Sequence, residues 1–156
     1  CGLMQIMPAT AAHLGLPAAQ MHEPEPNIAA ATRYLRELDG KFADIAHRME
    51  RIRFVLASYN GGPGHIRDAM ALARKHGFNP HCWEEVAPFV LRLSSASFYN
   101  DPVVRYGYMR GSETVDYVRR ILGRWEQYSS MAPGGSLEGF GSAIPQKATK
   151  KYRFHL

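Results

Sequence analysis

The sequence predicts an all-α domain of about six helices, and three observations carry that expectation. Apolar residues recur at three- and four-residue steps along almost the whole chain. No stretch alternates apolar and polar residues as a half-buried strand does. Prolines and glycines stand where the periodic stretches begin and end.

Taken in order, residues 8 to 14 form a short helix, with Pro8 suited to a first turn and Gly15 to a stop. Ile28, Ala31, Leu35, Leu38 and Phe42 make one apolar stripe, which predicts an amphipathic helix over about 27 to 38, closing near Gly40. Ile52, Val55, Leu56 and Tyr59 make a second stripe that stops at Asn60-Gly61-Gly62. Pro63 then opens a helix carrying Ile66, Met70 and Ala73 and ended by Gly77. Residues 81 to 93 hold Trp83, Val86, Val90 and Leu93 around Pro88, which is expected to start or break a helix. Residues 94 to 110 read as an irregular connection packed by its aromatics. Val115, Val118, Leu122 and Trp125 describe a last helix, with Ser112 the expected N-cap and Glu113 a first-turn acid favoured by the helix dipole.

From residue 129 the composition turns to Gly, Ser and Pro and then to Lys, so the chain divides into a domain over 1 to 128 and a flexible tail over 129 to 156. Of the formal net charge of +5, that tail carries +3 through Lys147, Lys150, Lys151 and Arg153 against Glu138. The domain itself is nearly balanced, which argues against nucleic acid as a partner. With Tyr152 and Phe154 the tail's cations suit anionic lipid or wall polymer, and a solvated, disordered end suits the same composition. No apolar run approaches the ~20 residues of a membrane span. Two cysteines, Cys1 and Cys82, fit a disulfide in an oxidising compartment, and Cys1 alone fits a lipidated terminus.

Three motifs bear on chemistry. Tyr59-Asn60-Gly61-Gly62 ends a helix in a polar aromatic, an amide and two glycines, which reads either as an ordinary C-cap or as the wall of a binding groove. Gly2-Leu3-Met4-Gln5 sets an amide beside a polarizable apolar side chain, the mixture that sugars demand, although Leu3, Met4 and Ile6 also suit simple core packing. Glu113 and Tyr117 stand four apart on one helical face, where dipole stabilisation and half-burial explain them as well as a groove does. A general acid for glycoside cleavage needs partial burial in an apolar pocket. Glu84 and Glu85 sit in a polar stretch and Glu23 and Glu25 among prolines, while Asp101, Asp116 and Glu126 read as solvated or capping groups. No carboxylate present takes that role. His76, His81 and Cys82 lack a zinc spacing, and no nucleophile signature appears.

In order, Gly2-Leu3-Met4-Gln5-Ile6-Met7-Pro8-Ala9-Thr10-Ala11, Ala57-Ser58-Tyr59-Asn60-Gly61-Gly62-Pro63-Gly64 and Glu113-Thr114-Val115-Asp116-Tyr117-Val118 resemble the lysozyme-like domain of lytic transglycosylases. The likeness covers about residues 2 to 127. Leu91-x-Leu93-Ser94-Ser95 and the run from Asp101 to Gly111 resemble the catalytic domain of the membrane-bound F-type subgroup.

The resemblance implies a peptidoglycan lytic transglycosylase. Such an enzyme cuts the β-1,4 bond between N-acetylmuramic acid and N-acetylglucosamine and leaves 1,6-anhydro ends, with no cofactor and no metal. It implies that Tyr59 orients the catalytic acid and that Met4, Gln5, Asn60, Glu113 and Tyr117 contact substrate. The acid itself, a glutamate in a Glu-Ser pair, is expected upstream of Cys1, so the domain is expected to be N-terminally incomplete and inactive alone. The implied partners are glycan strands and an N-terminal regulatory domain of the parent chain, with membrane association only through parts outside this sequence. The implied location is the bacterial envelope, periplasmic or at the outer membrane. A noncatalytic peptidoglycan-binding or regulatory module, and a goose-type lysozyme-like hydrolase, stand as alternatives.

Overall fold

The computed structural model describes residues 7–131. Among them are seven α-helices, one 3-10 turn over Ala18–Gln20, and no strand. The helices are α1 (Pro8–His13), α2 (Pro24–Lys41), α3 (Arg48–Gly61), α4 (Pro63–Lys75), α5 (Trp83–Arg92), α6 (Ala96–Tyr99) and α7 (Gly111–Met131). The all-α expectation holds. The seventh helix is α6, a single turn inside the connection expected to be irregular.

Proline and glycine punctuate the chain much as the sequence predicts. Pro8 and Pro63 stand in the first turns of α1 and α4, where their missing N–H groups cost nothing. Gly15 and Gly77 adopt positive φ just past α1 and α4. Three expectations need correction. Helix α2 begins at Pro24 and runs through Gly40 to Lys41, because Phe42 rather than Gly40 caps it. Helix α5 passes through Pro88 unbroken. Pro88 forfeits one bond, to the Glu84 carbonyl in the first turn, while Val86, Phe89 and Val90 on either side are buried and hold the helix together. Ser112 is not an N-cap, since Gly111 before it is already helical.

A compact unit extends to Leu122, part-way along α7, and a second unit runs from Gly123. Ser129, Ser130 and Met131, expected to open the tail, belong to α7. Residues 132–156, including the basic cluster, lie outside the described residues. No helix among the described residues is long and apolar enough to cross a membrane.

The main core collects Leu38 and Phe42 of α2, Phe54 and Ala57 of α3, Ile66 and Leu72 of α4, and Val86, Phe89 and Val90 of α5. Val118 of α7 closes it. Successive helices α2, α3, α4 and α5 pack side by side. Each fully buried Phe or Leu contributes about 1.5–3 kcal/mol relative to exposure. Phe54 meets Trp83 edge to face at 5.4 Å. A smaller cluster joins Ala11 and Leu16 to Ala30 and Ala31 of α2, and Tyr59 packs against both clusters.

Polar ties fix the helix ends. His47 caps α3 by accepting the Glu50 N–H at 3.3 Å. The Glu50 carboxylate pairs with Arg53 and accepts the Trp83 N–H at 2.6 Å, so it joins the start of α3 to the start of α5. Asn27, fully buried, donates to the Met21 carbonyl at 3.1 Å and holds the 3-10 region against α2.

Candidate functional site

Helix α3 ends at Gly61, and Gly62 takes φ 87°, a left-handed conformation that side chains disfavour, so the chain turns at once into Pro63 and α4. Gly61 is required for a different reason. A Cβ there would stand 2.6 Å from Thr114 Oγ1 and closer still to the Met109 methyl. The end of α3 therefore rests directly on the start of α7. That start is pressed in turn against α5, because a Cβ on Gly111 would overlap the Val90 carbonyl and lie 2.9 Å from the Leu91 nitrogen. The two glycines let three helix segments converge at backbone distance, which sets the spacing of the side chains around Asn60.

Thr114, itself buried, donates its hydroxyl to Asn60 Oδ1 at 2.7 Å. The Asn60 oxygen is thus occupied, and its Nδ2 finds no partner among the described residues while the residue is exposed. The side chain is held in one orientation with its donor face outward.

Next to it, three phenols gather from three helices. The rings of Tyr34 (α2) and Tyr59 (α3) are 5.6 Å apart at 47°. Burial pushes the Tyr59 phenol up to about 12, with Tyr117 of α7 and Tyr34 adding repulsion against its ionised form. Burial raises Tyr117 and Tyr34 as well. All three are therefore neutral hydroxyl groups at any physiological pH, able to donate and to accept.

The structure thus brings Tyr59, Asn60 and Tyr117 into one neighbourhood. Glu113 differs. It is exposed, and its carboxylate pairs with Arg110 at 3.1 Å in the preceding connection. Met4 and Gln5 lie outside the described residues, as does Cys1; Cys82 forms no disulfide among the described residues.

Among the described residues Asp68 is the buried carboxylate and Glu50 is half-buried, and both serve the fold. Glu50 is consumed by Arg53 and the Trp83 N–H, and Asp68 by the main-chain N–H groups of Arg105 and Tyr106 at 2.9 and 2.7 Å. His76 stacks on Phe89 at 5.4 Å and His81 faces Asp44 at 3.4 Å. No group of three or more His, Cys, Asp or Glu side chains able to hold a metal occurs among the described residues.

This geometry, a tyrosine and an outward-facing amide at the end of one helix opposite a tyrosine on another, coincides with a family match. The transglycosylase SLT domain family matches residues 1–81, just over half of the chain. The chain belongs to that family.

Among relatives, this SLT domain is similar to membrane-bound lytic murein transglycosylase F of Desulfosudis oleivorans, 40% identical over 121 residues, which is 78% of this chain and 26% of the relative. The protein of the same name from Yersinia enterocolitica is 39% identical over 120 residues, 77% of this chain and 24% of the relative. That from Pseudomonas fluorescens is 37% identical over 120 residues, with the same coverage. The chain spans about a quarter of the length of the curated relatives it matches.

Sequence reasoning missed Tyr34 and the tethering role of Thr114. Tyr34 stands three residues after Ala31 beside Leu35, so the α2 stripe carried a signal for it. Thr114 lies inside the Glu113–Val118 motif, but its bond to Asn60 crosses 54 residues of chain and has no local trace.

Proposed function

We propose that the face formed by Tyr59, Asn60 and Tyr117 holds a peptidoglycan glycan strand, and that the parent protein is a lytic transglycosylase. The observation that carries this reading is the fixed orientation of Asn60, whose oxygen is taken by Thr114 and whose amide N–H groups face solvent beside neutral phenols. Membership of the SLT family, with relatives named lytic murein transglycosylases, supports a peptidoglycan substrate. An outward amide suits the acetamido carbonyl or a ring hydroxyl of an N-acetylated sugar, and aromatic flanks suit the apolar face of its ring.

In this mechanism a glutamate in chain preceding Cys1 protonates the glycosidic oxygen. The bond from the muramyl anomeric carbon to that oxygen breaks, and the N-acetylglucosamine 4-hydroxyl leaves. The muramyl 6-hydroxyl gives its proton to the same carboxylate and bonds to its own anomeric carbon, so the product is a 1,6-anhydro end and no water enters. The sequence of protonation and deprotonation by one group departs from the two-carboxylate template. Tyr59, whose phenol burial pushes up to about 12, is neutral at physiological pH and offers the acid a hydrogen bond without adding charge beside it. Asn60 and Tyr117 position the sugars, with Met4, Gln5 and Glu113 as further substrate contacts. No cofactor or metal takes part. The action places the parent protein in the bacterial envelope, in the periplasm or at the outer membrane, with an N-terminal regulatory domain as a further partner.

A second reading, a noncatalytic glycan-binding module, is favoured by one observation: Asp68, the buried carboxylate among the described residues, and the half-buried Glu50 are already engaged in holding the fold. Digestion of purified sacculi by the full-length parent protein, with mass spectrometry of the released muropeptides, separates the readings. Anhydro-muramyl products support the transglycosylase. Products one water heavier mean a hydrolase, and retained binding without products means the binding module.

A further inference from the structure

We propose that the groove between α4 and the connection through residues 102–106 receives the acidic peptide stem attached to the glycan strand, with Arg105 as the carboxylate ligand and Tyr106 as the surface beneath it. The inference rests on the glycan reading above and extends it to a part of the substrate that carries charge.

The groove has a volume of about 730 Å³, and Phe42, Pro63, Arg67, Asp68, Arg105 and Tyr106 are among its walls. That size suits a short peptide rather than an extended polymer. It is built from within: Asp68 is 3% exposed, and its two oxygens accept the main-chain N–H groups of Arg105 and Tyr106. This clamp holds two consecutive residues of the connection onto α4 and leaves both side chains exposed. The Tyr106 ring, in a residue 64% exposed, lies with its distal half against Gly64, where a Cβ would stand 2.7 Å from it, and meets His65 edge to face at 6.0 Å.

The charges single out Arg105. Arg67 is engaged by Asp44 at 2.9 and 2.7 Å and lies over the Phe42 ring, and Lys41 pairs with Glu37 at 3.0 Å. Both cations are therefore neutralised in place. Asp68, the carboxylate of the wall, has its oxygens committed to main-chain N–H groups. The Arg105 guanidinium has no hydrogen-bond or ion-pair partner among the described residues. A planar guanidinium with five unused donors is a fork for one carboxylate. One uncompensated positive charge does not attract a polyanion such as nucleic acid, and a neutral sugar offers it no counter-charge.

Location ties the groove to the glycan face. The connection that lays Met109 against Gly61 also lays Tyr106 against Gly64, so both surfaces are built on the stretch from Asn60 to Gly64.

The test is an NMR titration of the 156-residue chain with a soluble disaccharide-tetrapeptide muropeptide and with the same disaccharide lacking peptide, using the parent sequence, Arg105→Gln and Gly64→Ala. The Gly64→Ala substitution displaces the Tyr106 ring and leaves the charge untouched. The expected result is movement of the Arg105 and Tyr106 amides with the peptide-bearing ligand alone, and about tenfold weaker binding of that ligand by Arg105→Gln with no change for the bare disaccharide. Gly64→Ala weakens the peptide-bearing ligand too. Equal affinity of Arg105→Gln, or equal shifts with both ligands, overturns the proposal. Shifts at Tyr59 and Asn60 without any at Arg105 and Tyr106 overturn the stem site and leave the glycan reading standing, whereas shifts at neither place overturn both.

Discussion

The Thr114 hydroxyl of α7 donates to the Asn60 side-chain oxygen at the end of α3, 2.7 Å away across 54 residues of chain. The bond converts a common helix-ending residue into an oriented donor, because it fixes which edge of the amide meets solvent. It also makes the proposed glycan face depend on α7 staying in register with α3.

Replacing Thr114 with Val keeps the shape and removes the donor. Since the Asn60 oxygen is then free to meet water, the expected loss of stability is modest, about 1 kcal/mol. Glycan affinity falls with it because Asn60 is released to rotate. Denaturant midpoints and sacculus binding measured on one preparation check both parts, and unchanged binding would separate Asn60 orientation from function.

Gly61→Ala and Gly111→Ala test the convergence of helices around the site. At Gly61 the obstacles are the Met109 methyl and the Thr114 side chain, which can shift, so the expected cost is about 1–3 kcal/mol. At Gly111 the obstacle is the Val90 carbonyl of α5, which cannot turn aside. Gly111→Ala is accordingly the more damaging of the two in thermal unfolding, and the reverse order would contradict the packing described.

Tyr59 gives a pH signature. Its phenol ionises at 10.0 when unperturbed and at about 12 in the fold, so the folded state holds the proton more tightly. The stability this contributes is intact below pH 10 and is lost as pH rises through about 12. Tyr34 and Tyr117 act with the same sign. Tyr59→Phe therefore removes a late component from the phenolate absorbance titration and makes the alkaline loss of stability smaller without abolishing it. A Tyr59 component titrating near 10 would show that the ring is not buried.

Ser58 is fully buried on α3, and its hydroxyl has no hydrogen-bond partner among the described residues. A buried hydroxyl without a partner is a cost, and Ala is also the better helix former. Ser58→Ala is expected to stabilise the fold by about 1 kcal/mol, read as a raised denaturant midpoint with an unchanged slope. A lowered midpoint would reveal a bond that the hydroxyl makes.

Helix starts and stops at Pro8, Gly15, Pro63 and Gly77 were legible in the sequence, because each residue acts through its own backbone and needs no distant partner. The motifs single out Tyr59, Asn60 and Tyr117, which the structure brings into one neighbourhood. The course of α5 through Pro88 was not legible, since local rules weigh the lost bond and cannot see that Val86, Phe89 and Val90 are buried around it. Nor was the start of α7 at Gly111, a residue that looks like a helix breaker until the Val90 carbonyl beneath it is known. Asp68 holding Arg105 and Tyr106 across 37 and 38 residues is likewise a purely tertiary fact.

The most direct test of the glycan face is the rate at which the full-length parent protein releases muropeptides from purified sacculi, compared with its Asn60→Ala variant. Asn60 is exposed and lies at a helix end, so the variant is expected to fold with a melting temperature within a few degrees of the parent. Release of anhydro-muropeptides is expected to slow by about tenfold or more, through loss of an oriented donor. An unchanged rate in a folded Asn60→Ala protein would contradict this and remove the Tyr59–Asn60–Tyr117 face from the reaction.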